Sequence, residues 1–178
     1  MARTHPSKRQ ASLYMAAIVV GVASLLYVYE FFLRVTPGAL AIELMQSFDV
    51  HAATFGFAMS SFLWAYMPMQ IPAGLLGDRF GPRVLLTIAV LICAVATGIF
   101  SLTQNIAIAG IARFFTGGAA AFGYICPLML AQRWFAKKHF ALITGMIQGT
   151  ACLGAIIGGG PVASFANTIG WRQAMLAA

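Results

Sequence analysis

The chain alternates long apolar runs with short breaks of polar residues, glycine and proline, and the run lengths define its elements. Residues 13–29 stay apolar, and a helix needs about 20 such residues to cross a bilayer, so this run predicts a first span. It then meets Glu30 and Arg34, and Pro37 permits a kink. Periodicity leaves open whether the helix continues through Ile42-Glu43-Leu44. A second span is predicted over residues 53–76, with Pro68 and Pro72 inside it, tolerable where neighbouring helices satisfy the freed carbonyls. A third, uncharged span covers residues 84–102, and Thr103-Gln104-Asn105 forms the turn to a fourth over residues 106–130. Helical spacing places Arg113, Gly117 and Tyr124 on one face of this span, and Pro127 is expected to bend its end.

The fifth predicted span, residues 140–165, is laced with glycine: Gly145 and Gly149 lie four apart, as do Gly154 and Gly158. Small residues at that spacing let helix backbones approach closely. A sixth begins at Gly170-Trp171-Arg172 and runs to Ala178, short of the roughly 20 residues a crossing needs. The expectation is an all-α polytopic membrane helix bundle of five full spans and the start of a sixth, cut in mid-helix and part of something larger. Residues 1–12 would be a cytoplasmic N-terminal segment and 13–178 the transmembrane half-bundle.

Composition agrees, with 61% hydrophobic and 8% charged residues against about 25% charged in ordinary soluble domains. The net charge of +7 sharpens the topology. Arg3, Lys8 and Arg9 precede the first run, Arg79 and Arg83 follow the second, and Arg133, Lys137 and Lys138 follow the fourth, so alternate connections are basic. The positive-inside rule places that side, with the N-terminus, in the cytoplasm, as in a bacterial inner membrane. Basic stripes interleaved with contact aromatics are absent, which argues against nucleic acid as a partner. The first run is longer than the h-region of a secretory signal, about 7–15 residues, and further spans follow it, so it reads as a retained helix.

Cys93, Cys126 and Cys152 sit singly in apolar runs and read as small buried hydrophobes. His5, His51 and His139 lie outside the helix interiors. No metal cluster, phosphate-cradling loop or nucleophile-base pair stands out, so neither an enzyme nor a cofactor is expected. Gly81-Pro82-Arg83 opens the third span as Gly170-Trp171-Arg172 opens the sixth, and ionisable residues recur in the first and fourth. Two inverted three-helix repeats would match features in this way.

The densest charge cluster is Gly74-Leu75-Leu76-Gly77-Asp78-Arg79-Phe80-Gly81-Pro82-Arg83, read as a loop between the second and third spans. Its Gly74, Leu76, Asp78, Arg79, Gly81 and Arg83 resemble the loop signature of the major facilitator superfamily of transporters, with Pro82 in place of one basic residue. Arg113-Phe114-Phe115-Thr116-Gly117 resembles that family's fourth-helix pattern, with Thr116 where a glutamine is usual, and Gly170-Trp171-Arg172 resembles the start of its sixth helix. The antiporter pattern of the fifth helix is not matched, because Ile156 stands where its glycine would be. The resemblance spans the whole chain but only the N-terminal half of the family's twelve helices. It implies a secondary transporter working by alternating access and driven by a proton or other cation gradient, its second six-helix half lying beyond this sequence. Arg34 falls near the position where the family's organic-anion symporters, of the sugar-phosphate and hexuronate types, carry an arginine, which implies a small anionic solute.

An ionisable residue inside a membrane helix costs about 2.5–3.5 kcal/mol and so normally faces a partner or a water-filled cavity. Arg34 is a candidate for binding the anion, because a guanidinium fork can hold two oxygens at once; snorkelling to the surface or pairing with Glu30 are its alternatives. Glu30, four residues away on the same face, is a candidate proton carrier. Arg113 is a candidate for substrate or proton coupling, the latter favoured by the resemblance, or for a structural interhelical pair. Tyr124, Gln148, Tyr27 and Tyr29 are cavity candidates that could equally serve as packing. The resemblance makes Gly74, Asp78, Arg79, Gly81 and Arg83 a conformational latch onto the second half, while a local salt bridge from Asp78 to Arg79 or Arg83 is the simpler role. A truncated non-transporting remnant or a structural membrane subunit is the competing class.

Overall fold

The computed structural model describes residues 8–161, 164, 166 and 170–176, which form helices and short links with no strand among them. In chain order the helices are α1 (Lys8–Ala39), α2 (Ala41–Phe48), α3 (Ala52–Phe80), α4 (Pro82–Leu102), α5 (Ile106–Trp134), α6 (Lys137–Gly159) and α7 (Trp171–Leu176). Stretches of α1 (Tyr14–Ala39), α4, α5 and α6 are long and apolar enough to cross a membrane. The second expected span, α3, has the length at 29 residues but is diluted in apolarity by Ser60, Ser61, Gln70 and two prolines.

Helix ends run beyond the apolar runs, because backbone hydrogen bonding continues into the charged residues at a membrane surface whereas hydropathy registers only burial. Thus α1 is already helical at Lys8, the first described residue, rather than starting near residue 13, and it passes through Pro37 to Ala39. The signature expected as a loop is a correction of the same kind: Gly74, Asp78, Arg79 and Phe80 belong to the last turns of α3. The turn itself is Gly81 alone, with φ of +81°, a left-handed conformation that a Cβ would oppose. Pro82 then starts α4 at the position where its missing N–H is harmless. Residues 132–139, expected as a basic loop, shrink to Phe135 and Ala136 between α5 and α6. The helix predicted to residue 165 ends as α6 at Gly159; Phe165 and residues 1–7 lie outside the described residues.

Helix α5 is the centre of the bundle, packing on α1, α3, α4 and α6, and its segment Thr116–Ala121 is buried throughout. The longest contacts pair α3 with α5 and α1 with α6, the exchange that two inverted three-helix repeats require. Both pairs interlock at glycine. A Cβ on Gly117 would collide with the backbone of Phe62, and one on Gly154 with the carbonyl of Val28. Gly145 and Gly149, the other pair singled out by spacing, have nothing within 4 Å of a built Cβ. Ser61 Oγ adds a cross-helix bond to the Gly110 carbonyl at 2.7 Å. At the end away from the α3–α4 junction, Trp171 packs with Phe48 and Phe100, and Arg172 donates to Ser47 Oγ at 2.9 Å and to the Thr103 carbonyl at 3.0 Å.

Candidate functional site

Three ionisable side chains lie where α1, α3 and α5 meet. Arg113 of α5 is 5% exposed and donates through Nη1 to the Leu33 carbonyl of α1 at 2.8 Å. That carbonyl is free because the residue four positions on is Pro37, which has no N–H to return. Arg34, the next residue of α1, is half-buried. Its guanidinium carbon lies 5.0 Å from the Tyr66 ring centre, 5.4 Å from Phe31 and 5.8 Å from Phe62, while that of Arg113 lies 4.7 Å from Phe62. One phenylalanine ring of α3 therefore serves two cations, an arrangement in which the ring quadrupole offsets part of the desolvation of each.

Glu30 is 2% exposed, and neither carboxyl oxygen has a hydrogen-bond partner among the described residues. Its carboxyl lies against Gly123 of α5, in space that a Cβ would fill. Pro127, four residues beyond, leaves the Gly123 carbonyl without its intrahelical donor, so proline defects in α1 and α5 both fall beside this cluster. Glu30 and Arg34 share a helix face as their spacing requires, but they form no ion pair. Among the described residues the one ion pair is Arg133 with Asp78.

Tyr27 and Tyr29 separate. Tyr27 is buried, donates to Gln148 Oε1 at 3.0 Å and packs its ring 5.4 Å from Tyr124, tying α1, α5 and α6 together one helical turn from Glu30. Tyr29 stacks on Phe32 and packs into the core with Cys93 instead. Sequence reasoning missed Phe62 and Tyr66; aromatics four apart in an apolar helix read as ordinary packing, and only the arginines opposite give them another role. Cys93 and Cys126 are buried as expected, but Cys152 is exposed, on an outward face of α6. Among the described residues no cluster of three or more histidine, cysteine or acidic side chains could hold a metal ion.

The signature residues gather at the basic end of the bundle. Asp78 and Arg133 approach to 3.5 Å across the ends of α3 and α5 with both side chains well exposed; the partner is neither Arg79 nor Arg83, the two expected from proximity in sequence. Arg79 lies over the Phe80 ring and Arg83 is exposed near the start of α4. Gly74 is half-buried. Gly77, not singled out by the sequence, is buried and leaves the space taken by the Met129 thioether.

Known proteins with similar sequences are named as transporters. The chain is 26% identical over 163 residues to an uncharacterized transporter, YybO, of Bacillus subtilis, covering 92% of this chain and 37% of that protein. It is 29% identical over 168 residues to the probable sulfoacetate transporter SauU of Cupriavidus necator, covering 89% and 37%. A putative tartrate transporter of Agrobacterium vitis is 24% identical over 140 residues, 79% of this chain and 31% of the relative. The chain thus spans little more than a third of the length of the curated relatives it matches. The sequence profile of the Major Facilitator Superfamily matches residues 20–178, from the first membrane helix to the end of the sequence. With that match, the helical bundle and the signature at the junction of α3 and α4, the chain belongs to the major facilitator superfamily.

Proposed function

We propose that this chain is the N-terminal half of a secondary transporter that moves a small organic anion across the cell membrane by alternating access, coupled to a proton or another cation. The observation that carries this reading is the pair of guanidinium groups, Arg34 and Arg113, set against one Phe62 ring with no carboxylate in ion-pair range among the described residues. Positive charge held away from bulk water attracts an anion more strongly than the same charge at a surface, and a guanidinium suits carboxylate or sulfonate geometry. The names of the relatives, sulfoacetate and tartrate transporters, support small acids as the solute class.

In this reading Glu30, buried beside Gly123, carries the coupling proton, and Tyr124, Tyr27 and Gln148 shape the neighbouring wall. Asp78, with Gly74, Arg79, Gly81 and Arg83, docks on the second half in one conformation and releases in the other. The basic end, with the N-terminus, faces the cytoplasm of a bacterial cell, as the positive-inside rule directs. The test is uptake of labelled sulfoacetate and tartrate by cells expressing the full-length protein. Arg34→Ala and Arg113→Ala should each abolish most of the uptake seen with the unaltered protein at equal membrane abundance. Full uptake by both variants would remove the anion site.

A further inference from the structure

Two prolines and two ionisable side chains form a reciprocal arrangement between α1 and α5. Pro37 of α1 frees the Leu33 carbonyl, and Arg113 of α5 donates to it. Pro127 of α5 frees the Gly123 carbonyl in the same way. The side chain of α1 that lies there is Glu30, its carboxyl in the space beside the Gly123 α-carbon. The two breaks differ in one respect: a guanidinium is always a donor, whereas a carboxyl donates only when protonated. An ionised Glu30 sets acceptors against an acceptor, in keeping with the lack of a hydrogen-bond partner on either of its oxygens among the described residues. One added proton turns that mismatch into a hydrogen bond. We propose that the coupling ion of this chain is a proton bound between Glu30 and the Gly123 carbonyl, so that protonation caps the break that Pro127 makes in α5.

The inference rests on the reading of Glu30 as the coupling group and adds the identity of the ion and the acceptor that holds it. A sodium ion needs a shell of oxygens in place of its water. The other acidic residues of the chain, Glu43, Asp49 and Asp78, lie in α2, just after it and at the end of α3, so Glu30 is the only carboxylate within the spans. The titratable groups around it are Arg34 and Tyr27 of α1, Tyr66 of α3, Cys93 of α4 and Tyr124 of α5. From α6 comes Gln148, which does not titrate and already accepts from Tyr27. Arg34 forms no ion pair with Glu30. Glu30 is 2% exposed and both its oxygens are sealed by the described residues, so the site is closed whatever else packs on the outside of the bundle.

The full-length protein in lipid membranes, without solute, would be followed by infrared difference spectroscopy between acid and alkaline pH. A carboxylic acid band should appear at acid pH, at the lowered frequency of a hydrogen-bonded acid, and Glu30→Gln should lack that component. Pro127→Ala returns a backbone N–H to the Gly123 carbonyl, so the band should persist but move up to the frequency of a free acid. Isotopic labelling of the glycine carbonyls reads the same contact in the unaltered protein: one labelled amide band should shift together with the acid band. Sodium added at fixed pH should leave the band in place. No component missing from Glu30→Gln, a band unmoved in Pro127→Ala, no responding glycine carbonyl, or a band removed by sodium would each overturn the assignment. These spectra need no transport, so a failure of anion uptake in cells would count against the solute reading and leave the proton site standing.

Discussion

Arg113 supplies the hydrogen bond that Pro37 takes away. The proline interrupts α1 at the Leu33 carbonyl, and the guanidinium from α5 occupies that acceptor at 2.8 Å. A hydrogen bond to a charged donor contributes about 1.5–3 kcal/mol, and here it exists only because the helix is broken at that point. In the full-length protein Arg113→Ala should lower the thermal unfolding temperature. In a Pro37→Ala background, where the backbone N–H returns to Leu33, the same substitution should cost distinctly less. Strictly additive losses in this double-mutant cycle would show that the contribution of Arg113 does not depend on the proline.

Arg34→Lys separates charge from shape. The ammonium keeps the positive charge but loses the planar fork and its stacking between Tyr66 and Phe31. Loss of one charge-assisted bond of about 1.5–3 kcal/mol corresponds to a KM for uptake raised at least about tenfold, with the maximal rate less affected. Initial-rate uptake over a range of solute concentrations reads both quantities.

Gly117 and Gly145 make a matched pair for testing the helix contacts. A methyl at Gly117 meets the Phe62 backbone, which cannot rotate aside, whereas one at Gly145 meets nothing within 4 Å. Overpacking of this kind typically costs about 1–3 kcal/mol, so Gly117→Ala should lower the unfolding temperature by several degrees. Gly145→Ala should leave it unchanged or raise it, since alanine is the better helix former by about 1 kcal/mol. Thermal unfolding of the purified full-length variants provides the comparison.

The exposed Asp78–Arg133 pair separates a local role from a latch. Exposed ion pairs contribute about 0–1 kcal/mol, so neither Asp78→Asn nor Arg133→Gln should change stability much. If Asp78 acts on the second half, Asp78→Asn should lose most transport at normal abundance while Arg133→Gln stays within about twofold, a difference on the same order as that small pair energy. Equal losses in uptake would return Asp78 to a purely local function.

Glu30→Gln preserves the shape of the side chain against Gly123 and removes the exchangeable proton. Net uptake driven by an imposed proton gradient should fall close to background, while exchange of labelled for unlabelled solute, which needs no net proton movement, should persist. Gradient-driven uptake at the unaltered rate would exclude Glu30 as the coupling group.

Much of this was legible in the sequence because membrane helices announce themselves through run length and through the placement of arginine and lysine. The all-helical bundle, the close helix contact at Gly154 and the shared helix face of Glu30 and Arg34 follow from one-dimensional spacing. Helix ends were less legible, since Asp78 and Gln132 are polar yet still helical, and only the φ of Gly81 shows where the chain turns. The linkage of Arg113 to Pro37 was hidden for a different reason. It joins residues of two helices through a backbone carbonyl, and a carbonyl leaves no mark in the amino-acid sequence. Phe62 was hidden likewise, because an aromatic between two cations has the same letter as one between two leucines.

The interlocked contacts of Gly117 with Phe62 and of Gly154 with Val28 carry a mechanical consequence. A peptide group seated in the notch of a glycine acts as a detent: moving either helix along its axis would drive that group against the side chains of the next turn. Sliding of α3 along α5, or of α1 along α6, is therefore the stiff coordinate of this bundle. Tilting of the bundle as a whole leaves every notch filled and is the softer motion, so a push on one helix carries with it the helix seated in its notch.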